Sequence, residues 1–138
     1  MIELTEEMRG RLSTALKDGC PVIAASVEPT GAPKLSFYGS THVHSSDSLA
    51  IWVRNPESGI LARVQTNPHM SFLYRHPADR LRWVFDGRAR ILDAGSDEAT
   101  AVYDAIPDFE KTTDPERKGR AVVIDLDKVS GRDLLMER

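Results

Sequence analysis

Six short apolar segments recur along this chain, and each is bounded by residues typical of turns. Valine, isoleucine and aromatic residues are frequent in them, as expected of β-strands. The predicted strands are residues 20–27, 33–40, 49–54, 70–74, 81–92 and 121–126. The turn sequence Glu28-Pro29-Thr30-Gly31 joins the first two as a hairpin. Asp86-Gly87 interrupts the fifth, where glycine predicts a bulge or a close backbone approach.

Three other segments carry apolar residues at helical spacing. Each begins at a hydroxyl residue suited to an N-cap, and each ends at glycine or proline. The predicted helices run from Thr5 to Gly19, from Ser58 to Asn67-Pro68 and from Ser96 to Pro107. Residues 108–118 are predicted to form a charged loop. Six strands with short helices between them predict a mainly β fold, a six-stranded antiparallel barrel, rather than a doubly wound parallel sheet.

Length and charge narrow the class of protein. The 138 residues fit one domain spanning 1–138, and no apolar stretch approaches the roughly 18 residues that a membrane span needs. The acidic N-terminus has no secretory signal pattern, so a cytoplasmic location is expected. A net charge of -3 gives no general attraction to nucleic acid. The single cysteine, Cys20, is expected to fill core space.

Several common site motifs are missing. The sequence has no GxGxxG or P-loop string, no Gly-x-Ser-x-Gly elbow, and no HExxH or CxxC pair. His42 and His44 stand two apart and share a face if the segment is a strand, but two solvated loop histidines are the simpler interpretation. No metal site is therefore predicted.

The start of the helix at Ser58 is suited to an anion. A strand that leads into a serine-capped helix presents free backbone N–H groups and a hydroxyl, which suits a phosphate monoester. Ordinary helix capping by Ser58 is the alternative.

The order of several motifs is more specific than any one of them. These are Gly31-Ala32-Pro33-Lys34-Leu35-Ser36, the apolar strand 49–54, the helix from Ser58 to Asn67-Pro68, the strand 71–74, and Val84-Phe85-Asp86-Gly87-Arg88-Ala89-Arg90. Over residues 8–93 this order resembles the split barrels that bind flavin mononucleotide (FMN) and are related to pyridoxamine 5'-phosphate oxidase. The C-terminal segment lacks the ending of the authentic oxidase, so a smaller single-domain relative is expected.

The resemblance implies a homodimer with an FMN site at each side of the interface. The flavin ring would lie against Lys34, Leu35, Ser36, Phe37 and Tyr38 and along Trp52, Val53 and Arg54, with Ser58, Gly59 and Ile60 at the phosphate and Arg82 reaching in from the other subunit. Many relatives carry a basic pair at the positions of Gly59 and Ile60. Arg54, Lys34 or Arg63 would then have to compensate, with Arg63 best placed by helical spacing. The alternative for Arg63 is an exposed surface charge.

The function implied by the resemblance is an FMN-dependent oxidoreductase that acts on a small molecule. The cofactor would carry the chemistry, so no side chain is assigned as catalytic. Three alternatives stay open: a deazaflavin-dependent reductase, a non-catalytic module that binds flavin or haem, and a dimer with a vestigial pocket.

Overall fold

A computed structural model describes the whole chain, Met1–Arg138. The helices are α1 (Glu6–Thr14), α2 (Gly59–Thr66), α3 (Asp97–Ala105) and α4 (Asp108–Thr112). The strands are β1 (Ile23–Val27), β2 (Pro33–Phe37), β3 (His42–Ser45), β4 (Ser48–Val53), β5 (His69–His76), β6 (Leu81–Ile91), β7 (Arg120–Gly131) and β8 (Leu134–Glu137). None of the four helices has the length and hydrophobicity that a membrane-spanning helix requires.

All eight strands belong to one antiparallel sheet that does not close. The strand order is β2-β1-β5-β6-β7-β4-β3, and β8 pairs with the far part of β7. β2 and β3 follow each other in sequence but lie at opposite ends of this order. Residues 36–40, at the end of β2 and beyond, nevertheless line one cleft with residues 52–55, at the end of β4. The sheet is therefore curled so that its two ends approach each other, as in a split barrel.

The larger core fills the inside of this curled sheet. Its apolar side chains come from β1, β3, β4, β5, β6 and β7, and Phe72, Phe85 and Ile124 are fully buried. α1 contributes Met8 and Leu12, so the helices cover the barrel. Burial of such side chains stabilises a fold by about 1.5–3 kcal/mol each, which makes this core the main source of stability.

A smaller core lies on the outer face of the sheet, beneath α3. β4 and β7 supply Ala50, Trp52 and Val123, and α3 supplies Val102 and Tyr103. Because successive strand residues point to opposite faces, β4 serves both cores, which explains why all six of its residues are buried.

The predicted split-barrel class is confirmed, but the sheet has eight strands instead of six. The prediction missed β3, whose sequence His-Val-His-Ser is too polar to stand out, and β8, which is only four residues long. β3 pairs with β4 and β8 pairs with β7 across two-residue turns, so the pairing with a longer apolar neighbour, more than the residues of the short strand itself, makes each of them a strand. β7 also extends well beyond the predicted residues 121–126.

The three predicted helices begin as expected, and α2 and α3 also end at Asn67-Pro68 and just before Pro107, whereas α1 is shorter than predicted. Thr5 and Ser96 accept the capping hydrogen bonds expected of them, from Met8 N and Ala99 N. α1 ends at Thr14, and turns continue from there to Gly19, which has a φ of 73°. The predicted charged loop 108–118 contains α4.

The predicted irregularity at Asp86-Gly87 is confirmed. The pairing of β6 with β7 shifts register between these two residues. A side chain at Gly87 would also collide with the carbonyl oxygen of Asp125 on β7. Glycine therefore serves both as a bulge residue and as a close-approach residue at this point.

Candidate functional site

A cleft opens where the end of β2 meets the end of β4. Its volume is about 270 Å3. Its lining residues come from the β2–β3 connection, from β4 and the turn after it, and from α4: Ser36, Phe37, Tyr38, Gly39, Ser40, Trp52, Val53, Arg54, Asn55, Ser58 and Glu110. Seven of the residues predicted from the sequence to bind a cofactor are in this set, namely Ser36, Phe37, Tyr38, Trp52, Val53, Arg54 and Ser58. These seven residues therefore lie around one cleft, and their role in binding a cofactor stays a prediction.

A side-chain hydrogen bond holds the two walls of the cleft together. The Ser40 hydroxyl accepts from the backbone N–H of Trp52 at 2.9 Å and lies 3.2 Å from the carbonyl oxygen of the same residue, to which it donates. Ser40 is buried. The β2–β3 connection is therefore fixed to β4 at the base of the cleft.

The indole ring of Trp52 points away from the cleft. Its ring lies edge-on to Tyr103, with centroids 5.0 Å apart, and its N–H donates to Asp114 at 2.8 Å. The side chain of Val53 is likewise buried, in the larger core. The buried side chains of Trp52 and Val53 therefore hold this wall of the cleft in place. Arg54 also lines the cleft, and it is exposed.

The N-terminus of α2 lies beside the cleft with free hydrogen-bonding groups. Ser58 occupies the N-cap position with extended backbone, yet its hydroxyl makes no capping bond. The N–H groups of Gly59 and Ile60 donate to no backbone carbonyl. Ordinary side-chain capping, the alternative reading of Ser58, does not occur in this structure. A hydroxyl and two amides are available at the positive end of the helix dipole.

Arg63 folds back over this helix start. A β-carbon added to Gly59 would lie 2.8 Å from Arg63 Nη1, so the guanidinium packs directly on the glycine. Arg63 Nε donates to the buried Ser26 hydroxyl at 2.8 Å, which anchors the side chain to β1. Arg63 is thus partly buried and held in place, and not the exposed surface charge that was the alternative.

Tyr38 connects Arg63 to the cleft. Burial raises the pKa of the Tyr38 phenol, and the positive charge of Arg63 partly offsets this effect. Tyr38 is only partly exposed, and its hydroxyl makes no hydrogen bond within the chain. The phenol is therefore neutral at ordinary pH and available as a donor.

Glu110 on α4 is a lining residue that the sequence did not reveal. Its carboxylate lies so close over Gly39 that any β-carbon there would collide with it. The carboxylate makes no hydrogen bond or ion pair with another side chain, although it faces the same cleft as Arg54. The sequence did contain one signal for α4, because Pro107 is followed by two acidic residues within one turn, a pattern typical of a helix start.

The remaining predicted residues lie outside the cleft. Leu35 is exposed on β2, and Lys34 is 3.7 Å from Glu28 in an exposed ion pair. Ile60 is fully buried in the larger core, which leaves only its backbone N–H for a ligand. Arg82 lines a different cleft at the end of the β5–β6 hairpin. A role for Arg82 in the cofactor site of a second subunit stays a prediction.

Comparison with known proteins finds similarity in structure but not in sequence. No protein-family model matches the sequence. No curated protein matches it either.

Three solved structures illustrate the structural similarity. A candidate pyridoxamine 5'-phosphate oxidase from Lactobacillus delbrueckii has a TM-score of 0.69 at 18% identity, over 94% of this chain and 95% of that one. HutZ, the haem storage protein of Vibrio cholerae, has a TM-score of 0.68 at 15% identity, over 96% of this chain and 90% of that one. An FMN-binding protein from Syntrophomonas wolfei has a TM-score of 0.65 at 10% identity, over 94% of this chain and 89% of that one.

The three neighbours share nearly their whole length with this chain, so the likeness extends over the entire fold and not over one motif. Identities this low carry no information on ligands. The three structural matches and the curled, open antiparallel sheet together show that the chain has the fold of the pyridoxamine 5'-phosphate oxidase-like split barrels.

Proposed function

We propose that this protein binds FMN in the cleft between β2 and β4 and acts as an FMN-dependent oxidoreductase on a small molecule. The observation that carries the proposal is the arrangement at the start of α2. There the uncapped Ser58, two free backbone amides and the anchored guanidinium of Arg63 converge beside the cleft.

These groups fit a phosphate monoester. A helix N-terminus favours negative charge, and an arginine forms charge-assisted hydrogen bonds with phosphate that contribute about 1.5–3 kcal/mol each. Arg63 is already fixed by Ser26, so little side-chain entropy is lost when it binds an anion. It is the residue of this chain that replaces the basic pair found at the positions of Gly59 and Ile60 in many relatives.

The flavin ring would occupy the cleft itself. Ser36 and Phe37 lie at the end of an edge strand, where backbone N–H and C=O groups are free to pair with the polar edge of the ring. Tyr38 and Arg54 supply a neutral donor and a cation to orient a substrate. Bound flavin supplies the hydride-transfer chemistry, and the protein supplies binding and orientation. A deazaflavin has a ring of similar shape and is the alternative cofactor.

A second copy of the chain would complete the site. Every residue of β2 is exposed, and Leu35 and Phe37 keep 74% and 64% of their surface in water. An edge strand with large exposed apolar side chains is normally covered by a partner. Pairing through this surface would build a homodimer around the cleft.

A haem-binding module is the second candidate, because a haem storage protein shares the fold. The cleft contains no histidine, cysteine or methionine, and Tyr38 is its one residue of a type that serves as an axial haem ligand. The raised pKa of Tyr38 disfavours the phenolate that would bind iron. The cleft therefore suits a flavin better.

Titration of cofactor-free protein with FMN, followed by quenching of flavin fluorescence, tests the proposal. We expect saturable binding at one FMN per chain and a loss of about tenfold or more in affinity for Arg63→Ala. Arg63→Lys should recover part of the loss. Arg88→Ala, which removes an exposed arginine paired with Asp127, should bind FMN as the unchanged protein does.

Two results would contradict the proposal. One is the absence of binding up to about a millimolar, which corresponds to only about -4 kcal/mol. The other is FMN binding that Arg63→Ala and Arg88→Ala weaken equally. Tighter binding of haem or a deazaflavin in the same assay would replace FMN with that ligand. Turnover of a reduced nicotinamide by the FMN-loaded protein would separate an oxidoreductase from a binding module.

A further inference from the structure

Arginines converge at one end of the barrel, away from the β2–β4 cleft. Arg75 on β5 and Arg82 on β6 are direct cross-strand partners, Arg80 lies in the turn between these strands, and Arg132 lies in the turn between β7 and β8. These four arginines, which we call the arginine patch, line a single cleft of about 350 Å3.

Close backbone packing brings the two turns together. A β-carbon on Gly131 would lie 2.7 Å from the carbonyl oxygen of Arg82, so glycine is needed for this approach. Gly131 is also the cross-strand partner of Trp83. The residue after it, Arg132, is thereby held next to the β5–β6 hairpin.

The charges of the arginine patch are not matched within the chain. None of its four side chains makes an ion pair or a hydrogen bond, whereas Arg88 and Arg90 on the same strand β6 are both paired with carboxylates. The acid of the hairpin, Asp79, is instead bound by Arg11 at 2.6 Å. The protein as a whole has a net charge of -3, so an excess of cations here is not a property of the general surface.

Two features of the arginine patch do not favour the folded state by themselves. Like charges directly opposite each other in a sheet repel, as Arg75 and Arg82 do. Arg80 has a φ of 56°, a conformation that glycine or asparagine adopts more readily. Neither feature contributes to packing, because all four arginines are exposed.

We propose that the arginine patch is a second binding site, specific for a small molecule with two or three linked phosphate groups. Guanidinium groups bind phosphate oxygens in a bidentate manner, and several of them around one cleft match several adjoining phosphates. Leu81 and Pro77 provide apolar surface beside them. The patch is confined to one cleft of an acidic protein and does not form the extended basic stripe that nucleic acid requires. The inference does not depend on FMN binding.

Calorimetric titration of the full chain with inorganic triphosphate at low ionic strength tests this site. We expect one triphosphate per chain, and a loss of about tenfold in affinity for Arg75→Ala and for Arg132→Ala. The double variant should lose about a hundredfold, and Arg75→Lys should lose less than Arg75→Ala. Arg88→Ala removes one positive charge elsewhere on β6 and should bind triphosphate unchanged.

Folding does not limit this test. Removal of either arginine relieves repulsion, so the melting temperature without ligand should stay the same or rise, and triphosphate should raise it further in the unchanged protein. Absence of saturable binding, or equal weakening by Arg88→Ala, would overturn the site. Equal affinity for citrate would overturn its specificity for phosphate. Displacement of triphosphate by one equivalent of FMN would show that the arginines belong to the cofactor site, and it would overturn the proposal of a second site.

Discussion

Trp52 separates two polar regions that differ in how their hydrogen bonds are used. On the α3 side, Asp114 is buried and accepts from Trp52 Nε1 at 2.8 Å, from Gly119 N at 2.8 Å and from Lys118 N at 2.9 Å. Its carbonyl oxygen accepts from the Tyr103 hydroxyl at 3.0 Å. We call this set the Asp114 cluster. Both carboxylate oxygens and the carbonyl oxygen of Asp114 therefore accept a hydrogen bond from within the chain.

On the opposite side, the polar groups of the β2–β4 cleft have few partners within the chain. The hydroxyls of Tyr38 and Ser58 and the charged groups of Arg54 and Glu110 make no side-chain hydrogen bond with another residue. Buried polar groups that are satisfied internally stabilise one conformation. Groups left without partners around a concave surface are suited to a ligand. The comparison therefore assigns a stabilising role to the Asp114 cluster and supports the proposal that the cleft binds a ligand.

The largest expected effect is that of Asp114→Ala on stability. Three donors lose their acceptor, and two of them are on buried residues, so we expect the free energy of unfolding to fall by about 3 kcal/mol. Chemical denaturation measures this loss. Asp114→Asn retains one acceptor oxygen and should lose less. A loss below about 0.5 kcal/mol for Asp114→Ala would remove the distinction between the two regions.

Acid titration examines the same cluster without removing atoms. Burial opposes the charge of Asp114, but hydrogen bonds from Trp52, Lys118 and Gly119 outweigh it and lower its pKa below the ordinary value of 3.8. A carboxyl group with a lowered pKa contributes stability above its unfolded pKa and loses that contribution as the pH falls through its folded pKa. The unchanged protein should therefore lose stability below about pH 4 more steeply than Asp114→Asn. Parallel pH profiles for the two proteins would contradict this role.

A smaller effect is expected for Ser58→Ala, and it should affect binding rather than stability. The hydroxyl makes no capping bond, so the usual cost of about 1 kcal/mol for losing an N-cap should be absent. FMN affinity should fall by about threefold to tenfold, the value of one neutral hydrogen bond. Thermal unfolding and FMN titration of the same variant measure both. Ser96→Ala is the matched control, because Ser96 does cap its helix: it should lose stability and keep FMN affinity.

The smallest expected effect is that of Glu110→Gln. Its carboxylate lies in the cleft without a cation partner, so neutralising it should leave stability unchanged and improve the binding of an anionic flavin by about twofold to threefold. FMN titration at low and high salt measures the change, which should shrink at high salt. Weaker binding for Glu110→Gln would indicate that the carboxylate accepts a hydrogen bond from the ligand.

Local signals in the sequence predicted most of the fold. Thr5 and Ser96 cap their helices because the capping bond depends only on the next few residues. The bulge at Gly87 was visible because glycine interrupts an otherwise apolar strand. The short polar strand β3 was not visible, since its pairing with β4, more than its own side chains, makes it a strand.

The site was predictable in position but not in detail. The order of motifs placed Ser36, Tyr38 and Ser58 together, and they line one cleft. It did not reveal that the indole of Trp52 faces α3, because which face of a buried strand meets which core is set by tertiary packing. It also missed Glu110, which reaches the cleft only because Gly39, 71 positions earlier in the sequence, leaves room for it.

The most direct test of the central claim compares FMN with riboflavin, which lacks the phosphate, in the unchanged protein and in Arg63→Ala. If Arg63 holds the phosphate, the substitution weakens FMN binding by about tenfold or more and leaves riboflavin binding unchanged. A loss of equal size for both flavins would show that Arg63 acts only through the structure of the cleft. That result would contradict the phosphate site at the start of α2.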